Sequence, residues 1–447
     1  MPVFVNSPQT EKIEKIAKKF VPGPPSTLIN NPYNWKYGQT PYAVGLCNLQ
    51  YTKPEFKLPV PGEGLPRIIN YCADQSGCAF WRMIWPAHEL LGNNKAVVMT
   101  LYQMVQFAPF YAGIDAIRLQ RQCSDHQKEF IKWLRQVSDE FKKQTGKGFR
   151  LIYEIDDICA PKEHIPHYNA CRSGFQDDNI LKNLIEIISY CDEMSVPSPY
   201  MKEHYTKYTG FDKISVIPNY LPRGIIDDGF DLDRIMDNYD ENQHKPRIVY
   251  AGSSTHFDIL NSTGQRDDFF DVVDHIIADI TGPQKYQWVF LGGHPLKLLP
   301  HIQSKQIEYH QWGSITDYMT LLKNLKGNIM IAPLADNTFN RAKANIKLTE
   351  GGTVGMPVVA QNLDCYNRMD KHPHLFDTPA EMFNHIDTLM VDRNVFEKAV
   401  KDGKALSESY HLNNHLDEWL LMFKSEYGSF ERKNNESFVK NNPDQFK

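Results

Sequence analysis

The chain has 447 residues, of which 41% are hydrophobic and 23% charged, and its formal net charge is −5. These values exclude a disordered or fibrous chain and are typical of a soluble globular protein with two or three domains. The eight cysteines form no C-x-x-C pair and show no zinc-ligand spacing, so we expect reduced, mostly structural thiols.

The chain begins with a polar lead, which is followed by a segment rich in Pro, Gly, Asn and Tyr at 21–66. The lead lacks the apolar core of a signal peptide, and together with the thiol pattern this predicts a cytoplasmic protein. The composition of 21–66 predicts irregular structure.

From Arg67 onward, short apolar strands alternate with helices. The strands are Ile- and Val-rich runs without polar alternation, which is typical of a parallel sheet covered on both faces. The clearest helix begins after the N-cap Ser124 and ends at Gly146. The predicted strands lie at 67–72, 96–102, 113–121, 149–158, 192–198 and 213–221, and the predicted helices at 83–93, 124–146, 180–191 and 199–210.

Residues 96–114 carry no charge, and this run is long enough for a membrane-spanning helix. Gln103, Gln106 and Pro109 interrupt the run, however, and Asp115 follows it at once. We therefore interpret the run as buried α/β elements and expect no stable membrane insertion.

A second alternation of strands and helices follows a polar, acidic connector at 221–246. The whole pattern predicts an α/β protein with two Rossmann-like, doubly wound parallel-sheet domains and a cleft between them, where ligands bind beyond the carboxyl ends of the strands. We assign 1–220 to the first domain, 221–410 to the second, 411–430 to a C-terminal helix that packs back toward the first domain, and 431–447 to a polar tail.

Positive charge is concentrated near the amino terminus. Residues 1–150 contain 19 Lys and Arg and 11 Asp and Glu, a formal +8, whereas the rest of the chain sums to −13. This asymmetry favours an anionic partner for the first domain. A mixed, solvated surface with local ion pairs would give the same count, so the alternative stays open.

The most informative stretch is "FNRAKANIKLTEGGTVGMPVVA" at 339–360. Asn340 fits a helix N-cap, and a helix from Arg341 would place Arg341, Lys343 and Lys347 around its N terminus. Acidic residues are usual at that end of a helix, so three cations there fit a bound diphosphate.

Glu350 follows Lys343 by seven residues, which is about 10 Å along a helix. This is roughly the separation between a diphosphate and the hydroxyls of an attached ribose, from which a carboxylate accepts hydrogen bonds. Gly351 and Gly352 would let the helix approach a ligand or the sheet closely. The alternative is a surface helix with a weak Lys347–Glu350 ion pair.

A Gly/Ser turn follows the first strand of the second domain and can present N–H and hydroxyl donors to a phosphate. It consists of Gly252, Ser253, Ser254 and Thr255, and His256 follows it. An ordinary βα turn is the alternative for the first four residues, and His256 could either donate to phosphate or cap the next helix.

Polar residues near the strand ends of the first domain are candidates for the acceptor side. Asp156 and Asp157 end a buried strand that faces the cleft, where a carboxylate could orient or deprotonate an acceptor hydroxyl. A helix cap and an ion pair are the alternative for this pair. The further acceptor-side candidates are Arg82, His88, Arg118 and Arg121, whereas Trp81 and Trp85 are expected in the core.

The stretch "IAPLADNTFNRAKANIKLTEGGTVGMPVVA" at 331–360 resembles the nucleotide-sugar signature of GT-B glycosyltransferases of the GT4 type, in which a lysine-bearing helix ends in a glutamate, a small-residue run and G-x-P-V. The resemblance covers roughly 67–365. One position departs from it, because Ala342 stands where the family often has the first glutamate of Glu-x7-Glu. The supporting fragments, in order, are "LQR", "YEIDD", "CDEMSVPSPYMKEHY", "VIPNY" and "YAGSSTHFDI".

The resemblance implies a hexosyl- or pentosyltransferase that moves a sugar from a nucleoside-diphosphate sugar, a UDP-sugar by preference, to an acceptor hydroxyl with retention. Inversion stays open. It also implies that no metal or other cofactor is required, because the helix dipole and cations neutralise the leaving diphosphate.

The chain is similar to phage-encoded enzymes that modify DNA, which implies a hydroxymethylated pyrimidine as acceptor, double-stranded DNA bound by the basic first domain, and action in the cytoplasm of a host cell. A cell-surface or capsular glycan acceptor and a non-catalytic nucleotide-sugar-binding protein are the alternatives. A nicotinamide dehydrogenase is disfavoured, because no G-x-G-x-x-G follows a strand.

Overall fold

The computed structural model describes residues 65–424 apart from 75–76, 107, 112, 176, 223–229, 259–265, 316 and 369–371. Most of the irregular segment expected at 21–66 and the polar tail expected at 431–447 lie outside the described residues. Within them, the chain forms two six-stranded, all-parallel sheets with helices between the strands. The predicted α/β class with two doubly wound domains is confirmed.

The first sheet contains β1 (Arg67–Tyr71), β2 (Val97–Leu101), β3 (Ala116–Gln120), β4 (Arg150–Glu154), β5 (Glu193–Val196) and β6 (Ile214–Val216). Its strand order is β2-β1-β3-β4-β5-β6. Its helices are α1 (Trp85–Gly92), which continues Gly77–Ala79 and a π-helical turn at Phe80–Ile84, α2 (Asp125–Thr145), α3 (Ile180–Ser189) and α4 (Pro199–Thr209). Every residue of β2, β3 and β4 is buried, as the apolar runs predicted.

The second sheet contains β7 (Arg247–Gly252), β8 (Gln287–Gly292), β9 (Glu308–His310), β10 (Ile329–Ala332), β11 (Val358–Gln361) and β12 (Leu375–Phe376), in the order β12-β11-β10-β7-β8-β9. Its helices are α5 (Leu232–Glu241), α6 (Val273–Thr281), α7 (Leu299–Gln303), α8 (Tyr318–Asn324), α9 (Thr338–Arg341), α10 (Ile346–Val354), α11 (Asp364–Asn367), α12 (Pro379–Val391) and α13 (Arg393–Ser409). Helix α14 (Leu416–Lys424) ends the described chain.

Helix α2 forms where its sequence predicts it. The Ser124 hydroxyl accepts from the Gln127 backbone N–H, and the Gln127 side chain accepts from the Ser124 N–H, which makes a reciprocal capping box. Gly146 ends the helix in the left-handed region with φ of 79°. Both predicted boundaries are confirmed.

The connector predicted at 221–246 contains a helix, α5, that the sequence analysis did not predict. Asp231 caps it by accepting from the Arg234 N–H, and only Ile235, Met236 and Tyr239 are buried. Because so few apolar residues face the core, the segment has a polar composition although it is helical.

The continuous helix predicted from Arg341 is wrong, because the chain forms the two short helices α9 and α10 there. Asn337 caps α9 in place of Asn340, since Asn337 Oδ1 accepts from the Asn340 N–H at 2.9 Å. Phe339 and Ala342 are buried with the core of the first domain. This packing draws the segment out of the axis of α10.

Helix α10 uses its two interior glycines for close packing. A Cβ at Gly351 would lie 2.3 Å from Val358 Cγ2 in β11, and a Cβ at Gly352 would lie 2.0 Å from the Gly403 carbonyl oxygen in α13. Both glycines therefore bring the helix close to the sheet and to a neighbouring helix, which is one of the two roles predicted for them.

Gly352→Ala is expected to lower the free energy of unfolding by about 1–3 kcal/mol, because the clash with Gly403 outweighs a gain in helix propensity of about 1 kcal/mol. Urea denaturation measures the change. Gly92→Ala is the matched control, since a Cβ added at Gly92 would have no packing neighbour within 4 Å and its effect should be small. Equal stability of the two variants would contradict the packing argument.

Two segments cross between the domains side by side. Leu221 pairs with His411 in an isolated parallel bridge. The Leu221 N–H donates to the Tyr410 carbonyl at 2.8 Å, and the Leu412 N–H donates to the Leu221 carbonyl at 2.8 Å. Beyond this crossing, α14 packs against α1 of the first domain.

Among the described residues, no helix is both apolar enough and long enough to cross a bilayer. The uncharged stretch at 96–114 instead contains β2 and a 3₁₀ turn at Ala108–Tyr111, which confirms its interpretation as α/β elements. Among the described residues, six cysteines are free thiols, namely Cys72, Cys78, Cys123, Cys159, Cys191 and Cys365.

Candidate functional site

The carboxyl edges of the two sheets face each other. Ser198, after β5, donates its hydroxyl to the Ala342 carbonyl at 2.8 Å. Tyr168, after β4, donates its hydroxyl to Asp268 Oδ1 at 2.7 Å. Because Ala342 and Asp268 belong to the second domain, the two strand-end edges meet at a cleft, which is where doubly wound sheets bind ligands.

Lys343 lies at this cleft, in the break between α9 and α10. Its Nζ is 3.2 Å from His256 Nδ1 and 5.6 Å from the centroid of the Phe339 ring. Burial and the Lys343 charge lower the pKa of His256 to about 4. The same charge also acts on Asp157 in the first domain, where it opposes the raised pKa of that carboxyl. Lys343 therefore contacts a polar group of the second domain, and its charge acts on a carboxyl of the first.

Asp268 is a buried carboxylate that joins the two domains. Burial favours its neutral form, but the hydrogen bond from His256 and the Lys343 charge hold its pKa below the ordinary value. Among the described residues, the Asp268 carboxylate accepts from four donors. They are His256 Nδ1 at 2.6 Å, the Ala335 N–H at 2.9 Å, Asn340 Nδ2 at 2.6 Å and the Tyr168 hydroxyl at 2.7 Å. Four donors satisfy an ionised carboxylate.

Acidification is expected to destabilise the protein between pH 6.5 and about 4. Burial lowers the pKa of His204, His256 and His374 to about 4 in the folded state. The unfolded chain therefore binds more protons in this window, and each histidine costs on the order of 2–3 kcal/mol once the pH reaches 4. The midpoint of thermal unfolding, followed from pH 7 to pH 4.5, should fall steadily.

His204→Gln is the matched variant for this titration, because an amide can still donate to the Ala160 carbonyl that His204 Nε2 contacts at 2.9 Å. Its midpoint should fall less over the same pH range, since one proton fewer is taken up on unfolding. A midpoint that rises on acidification would contradict the assignment of neutral buried histidines.

Arg341 is engaged by two carboxylates. Its Nε and Nη2 donate to Asp336 at 2.6 and 2.7 Å, and its Nη1 donates to Asp364 at 2.5 Å. Those two charges already neutralise the guanidinium. The structure therefore leaves Arg341 outside the group formed by Lys343 and His256, although the sequence placed it with the diphosphate.

Lys347 and Glu350 form the ion pair that the sequence analysis left as an alternative, but the pair is not on an open surface. Lys347 Nζ donates to Glu350 Oε2 at 2.7 Å, and the Tyr318 hydroxyl donates to the same oxygen at 2.8 Å. Glu350 is only 3% exposed. Trp312 stacks on Tyr318 with centroids 4.7 Å apart and is 43% exposed.

The Gly/Ser turn lies at the carboxyl end of β7. Ser253 and Ser254 are exposed, and Ser253 Oγ lies 2.6 Å from Thr255 Oγ1. The Gly293 N–H, at the end of β8, donates to the Gly252 carbonyl at 2.7 Å. The turn thus offers exposed hydroxyls beside Gly292 and Gly293, and it does not cap a long helix.

Asp156 and Asp157 share one guanidinium. Arg121 Nε donates to Asp156 at 2.5 Å, and Arg121 Nη2 donates to Asp157 and, at 3.1 Å, to Cys78 Sγ. Burial and the neighbouring Asp156 raise the pKa of Asp157 against the opposing charges of Arg121 and Lys343. The Asp157 side chain is 25% exposed and that of Asp156 7%, so Asp157 is the more accessible to a ligand.

The same cluster is the one place among the described residues where grouped Cys and Asp side chains could hold a metal ion. Cys78, Asp156 and Asp157 bring three potential ligand atoms within 4.8 Å of one another. Arg121 contacts all three and supplies the positive charge that a cation would otherwise supply. The expectation that no metal is required stays a prediction.

Arg82 and Arg118 do not face an acceptor in this structure. Arg82 donates to Glu154 at 2.7 Å, and Arg118 donates to Glu154 at 3.1 Å, all three side chains being at most 1% exposed. The Trp419 ring of α14 covers them, with the Arg118 guanidinium 4.2 Å from its centroid. Burial lowers the pKa of Arg118 to about 10. The geometry gives both arginines a structural role under the C-terminal helix.

The aromatic and histidine side chains around α1 are also internal. His88 is 5% exposed, so it presents no surface to an acceptor. Trp81 and Trp85 pack edge to face with centroids 4.7 Å apart, and their expected place in the core is confirmed.

The charge excess counted over 1–150 does not describe the whole first domain. Residues 1–220 contain 25 basic and 22 acidic side chains, a formal +3. The carboxylate partners of several buried arginines lie between positions 150 and 220, since Arg118 pairs with Glu154 and Arg150 with Glu193. Much of the positive excess therefore arose because the counted range ends at residue 150, before the carboxylates that pair with these arginines.

Sequence reasoning missed three residues of the site, namely Tyr168, Asp268 and Trp312. Trp312 had a usable signal, because it stands beside Gly313 only two residues after the end of β9. Asp268 had no usable sequence signal, since it is one of several acidic residues in "QRDDFFDVVD". Tyr168 lies in a loop, and only the tertiary contact with Asp268 reveals its role.

No protein-family model and no curated protein sequence matches the chain. Among solved structures it is similar to Anabaena Alr3699/HepE in complex with UDP, with a TM-score of 0.51 and 12% identity over 80% of this chain and 100% of that chain. An alpha-glucosyltransferase in complex with UDP-glucose and DNA containing an abasic site gives a TM-score of 0.49 and 10% identity over 81% of this chain and 100% of that chain. Sucrose-phosphate synthase from Thermosynechococcus elongatus gives 0.46 and 11% identity over 70% and 75%.

The two facing Rossmann-like domains and the similarity to HepE together define the architecture. The protein has the GT-B fold, as the resemblance of 331–360 implied. At 12% identity the similarity establishes this fold, and the chemistry has to be argued from the site itself.

Proposed function

We propose that the protein is a glycosyltransferase that moves a sugar from a UDP-sugar to an acceptor hydroxyl. The observation that carries the proposal is the position of Lys343, beside the His256–Asp268 pair of the second domain and within electrostatic reach of Asp157 in the first. An ammonium there can stabilise the charge that develops on a leaving diphosphate. A carboxylate on the other side can orient the incoming hydroxyl.

The remaining donor contacts follow from the same edge of the second sheet. The exposed hydroxyls of Ser253 and Ser254 can donate to phosphate. Glu350 can accept from ribose hydroxyls once ligand binding uncovers its carboxylate, which is 3% exposed beside Lys347. The exposed face of Trp312 can stack on a nucleobase. UDP is the nucleotide we propose, supported by the UDP complex of HepE and by the resemblance of 331–360.

On the acceptor side we propose Asp157 as the residue that touches the acceptor hydroxyl, with Asp156 and Arg121 as positioning residues. The Arg121 fork fixes both carboxylates at the end of β4. The raised pKa of Asp157 makes it a better proton acceptor than an ordinary aspartate.

The acceptor we propose is a hydroxymethylated pyrimidine in DNA, with retention at the sugar. This choice rests on the resemblance to phage-encoded enzymes, because the formal +3 of residues 1–220 gives DNA binding less support than the count over 1–150 did. A cell-surface or capsular glycan is the competing acceptor.

The test incubates the full chain with UDP-, GDP- and ADP-sugars, with hydroxymethylcytosine DNA, unmodified DNA or oligosaccharide acceptors. Nucleotide release and the mass of digested nucleosides are followed, and the anomeric configuration of the product is read by NMR. A sugar adduct on the modified DNA supports the proposal. Transfer to glycan alone would replace the acceptor, and tight UDP binding without any turnover would favour a non-catalytic nucleotide-sugar-binding protein.

A further inference from the structure

The two ring nitrogens of His256 differ in their contacts. Nδ1 lies 2.6 Å from Asp268 Oδ2 and 3.2 Å from Lys343 Nζ. Within the described part of the chain, no residue hydrogen-bonds Nε2. The His256 side chain keeps 17% of its surface exposed, so a ligand in the cleft can reach it.

The Asp268 contact decides which nitrogen carries the proton. Asp268 accepts three further hydrogen bonds on its other oxygen, from Tyr168, Ala335 and Asn340, which is the pattern of an ionised carboxylate. A separation of 2.6 Å between such an oxygen and a bare nitrogen lone pair would be repulsive. Nδ1 therefore carries the proton and donates it to Asp268.

This tautomer fixes what Nε2 can do. The Lys343 charge beside the ring opposes a second proton, and the lowered pKa of His256 agrees with a neutral imidazole at neutral pH. Nε2 is then a lone-pair acceptor. It can accept from a hydroxyl, whereas the oxygens of a diphosphate carry no proton at this pH and would be repelled.

By the same arrangement, no group among the described residues accepts a hydrogen bond from the Lys343 ammonium, so its donors are available to a ligand. Because Nδ1 is protonated, it offers no lone pair to the ammonium 3.2 Å away. A cation that binds diphosphate and a neutral acceptor thus lie side by side on the second domain. A sugar attached to that diphosphate would bring its hydroxyls past the acceptor.

We propose that the Asp268–His256 pair recognises the transferred sugar, with His256 Nε2 accepting a hydrogen bond from a hydroxyl of the donor sugar. His256 is then a specificity residue for hydroxylated donors and not a phosphate donor, and Asp268 is its positioning residue. The inference rests on the proposed function and goes beyond it by naming the group that His256 contacts.

The test compares binding of UDP and of UDP-glucose, UDP-galactose and UDP-N-acetylglucosamine to the full chain by titration calorimetry, without acceptor. In His256→Phe, the tightest UDP-sugar should lose about five- to tenfold in affinity while UDP changes less than about twofold, because one hydrogen bond to the sugar is lost. His256→Gln, which keeps an acceptor atom, should recover much of the loss. His126→Phe, on the exposed start of α2, is the control and should match the unsubstituted protein.

A second readout needs no ligand. Ring ¹⁵N shifts of His256 at pH 7, assigned by their disappearance in His256→Phe, should show a protonated Nδ1 and an unprotonated Nε2. Asp268→Asn should invert this tautomer and reproduce the selective loss of UDP-sugar affinity, provided that its thermal unfolding shows a folded protein.

The failures can be told apart. If UDP binds normally and the ratio of UDP to UDP-sugar affinities is the same in His256→Phe, the inference is overturned and the proposed function stands. A protonated Nε2 at pH 7 overturns it as well. If neither UDP nor any UDP-sugar binds the unsubstituted protein, the proposed function and the inference fall together. If a transfer assay of His256→Phe shows a raised acceptor KM while its UDP-sugar affinity is unchanged, the hydroxyl belongs to the acceptor and the inference is overturned.

Discussion

Lys343→Gln is expected to lower kcat/KM for sugar transfer by about 10²–10³-fold. The substitution removes the ammonium that lies 3.2 Å from His256 and within electrostatic reach of Asp157, where the charge of a leaving diphosphate would develop. One preorganised group at such a position is worth about 3–4 kcal/mol in the transition state. Most of the loss should appear in kcat, because the charge on the leaving group grows as the bond to the sugar breaks.

The measurement is nucleotide release at saturating and subsaturating UDP-sugar, with the UDP affinity determined separately. Arg341→Gln is the informative comparison, because Arg341 belongs to the same cationic stretch but is already neutralised by Asp336 and Asp364. Its effect should be at least tenfold smaller than that of Lys343→Gln. Lys401→Gln, on the exposed face of α13, is the surface control.

Equal losses for Lys343→Gln and Arg341→Gln would show that both cations act on the diphosphate, as the sequence predicted. An unchanged kcat/KM for Lys343→Gln would remove the observation on which the proposed function depends. A loss confined to the affinity for UDP would keep the donor site but deny Lys343 a part in the chemistry.

The fold could be predicted from the sequence because its strands are buried on both faces. Runs such as "RLIYE" in β4 and "IMIA" in β10 have no polar alternation, and the structure buries every residue of both. The capping box at Ser124 and the glycine at 146 mark the ends of α2 for the same local reason. Local chemistry thus determines these elements, and a sequence shows local chemistry directly.

The break between α9 and α10 could not be predicted in this way. The residues from Arg341 to Glu350 contain no proline or other breaker, and their local preference is helical. The break arises because Phe339 and Ala342 are buried in the core of the other domain, which is a tertiary constraint. As a result, Lys343 was placed correctly in the stretch but on the wrong element.

The candidate site was predictable where its residues follow strand ends and not where partners are distant. Asp157 and the turn at Gly252 could be found because both directly follow an apolar run. Asp268 contacts Tyr168 across 100 residues of sequence, and no spacing rule connects them. Arginines were the main source of error, because the sequence does not show whether a guanidinium is buried or exposed. The burial of Arg82 and Arg118 depends on their pairing with Glu154.

Both domains contribute contacts to the loop that carries Lys343. The loop that carries Lys343 is held from the first domain by Ser198 on the Ala342 carbonyl and by Tyr168 on Asp268. Lys343 and the His256–Asp268 pair are therefore positioned by both domains at once. Any change in the angle between the domains would move Lys343 relative to Asp157, which under the proposed function would couple donor binding to the acceptor side.

Glu154→Gln is expected to lower the free energy of unfolding by about 3–5 kcal/mol. Glu154 is the carboxylate shared by Arg82 and Arg118, and the three side chains are at most 1% exposed. Removing its charge leaves two buried guanidiniums facing each other, a case in which the desolvation cost is no longer offset. The Trp419 ring gives some compensation by cation–π contact, but a neutral ring cannot replace a carboxylate.

Urea denaturation of the full chain measures this loss, and Glu203→Gln is the matched control. Glu203 also pairs with an arginine, Arg368, but its side chain is 61% exposed, so its loss should cost less than about 1 kcal/mol. At a temperature where Glu154→Gln is still folded, its UDP affinity should stay within about threefold of the unsubstituted protein. Glu154 pairs with Arg82, Arg118 and Ser195, whereas Ser198 and Tyr168 are the first-domain residues that hold the loop of Lys343 and Asp268. A Glu154→Gln variant that is fully stable but selectively fails to bind acceptor would contradict the structural role of Arg82 and Arg118. It would return both arginines to the acceptor site that the sequence predicted, because accessible arginines can contact an acceptor without stabilising the core.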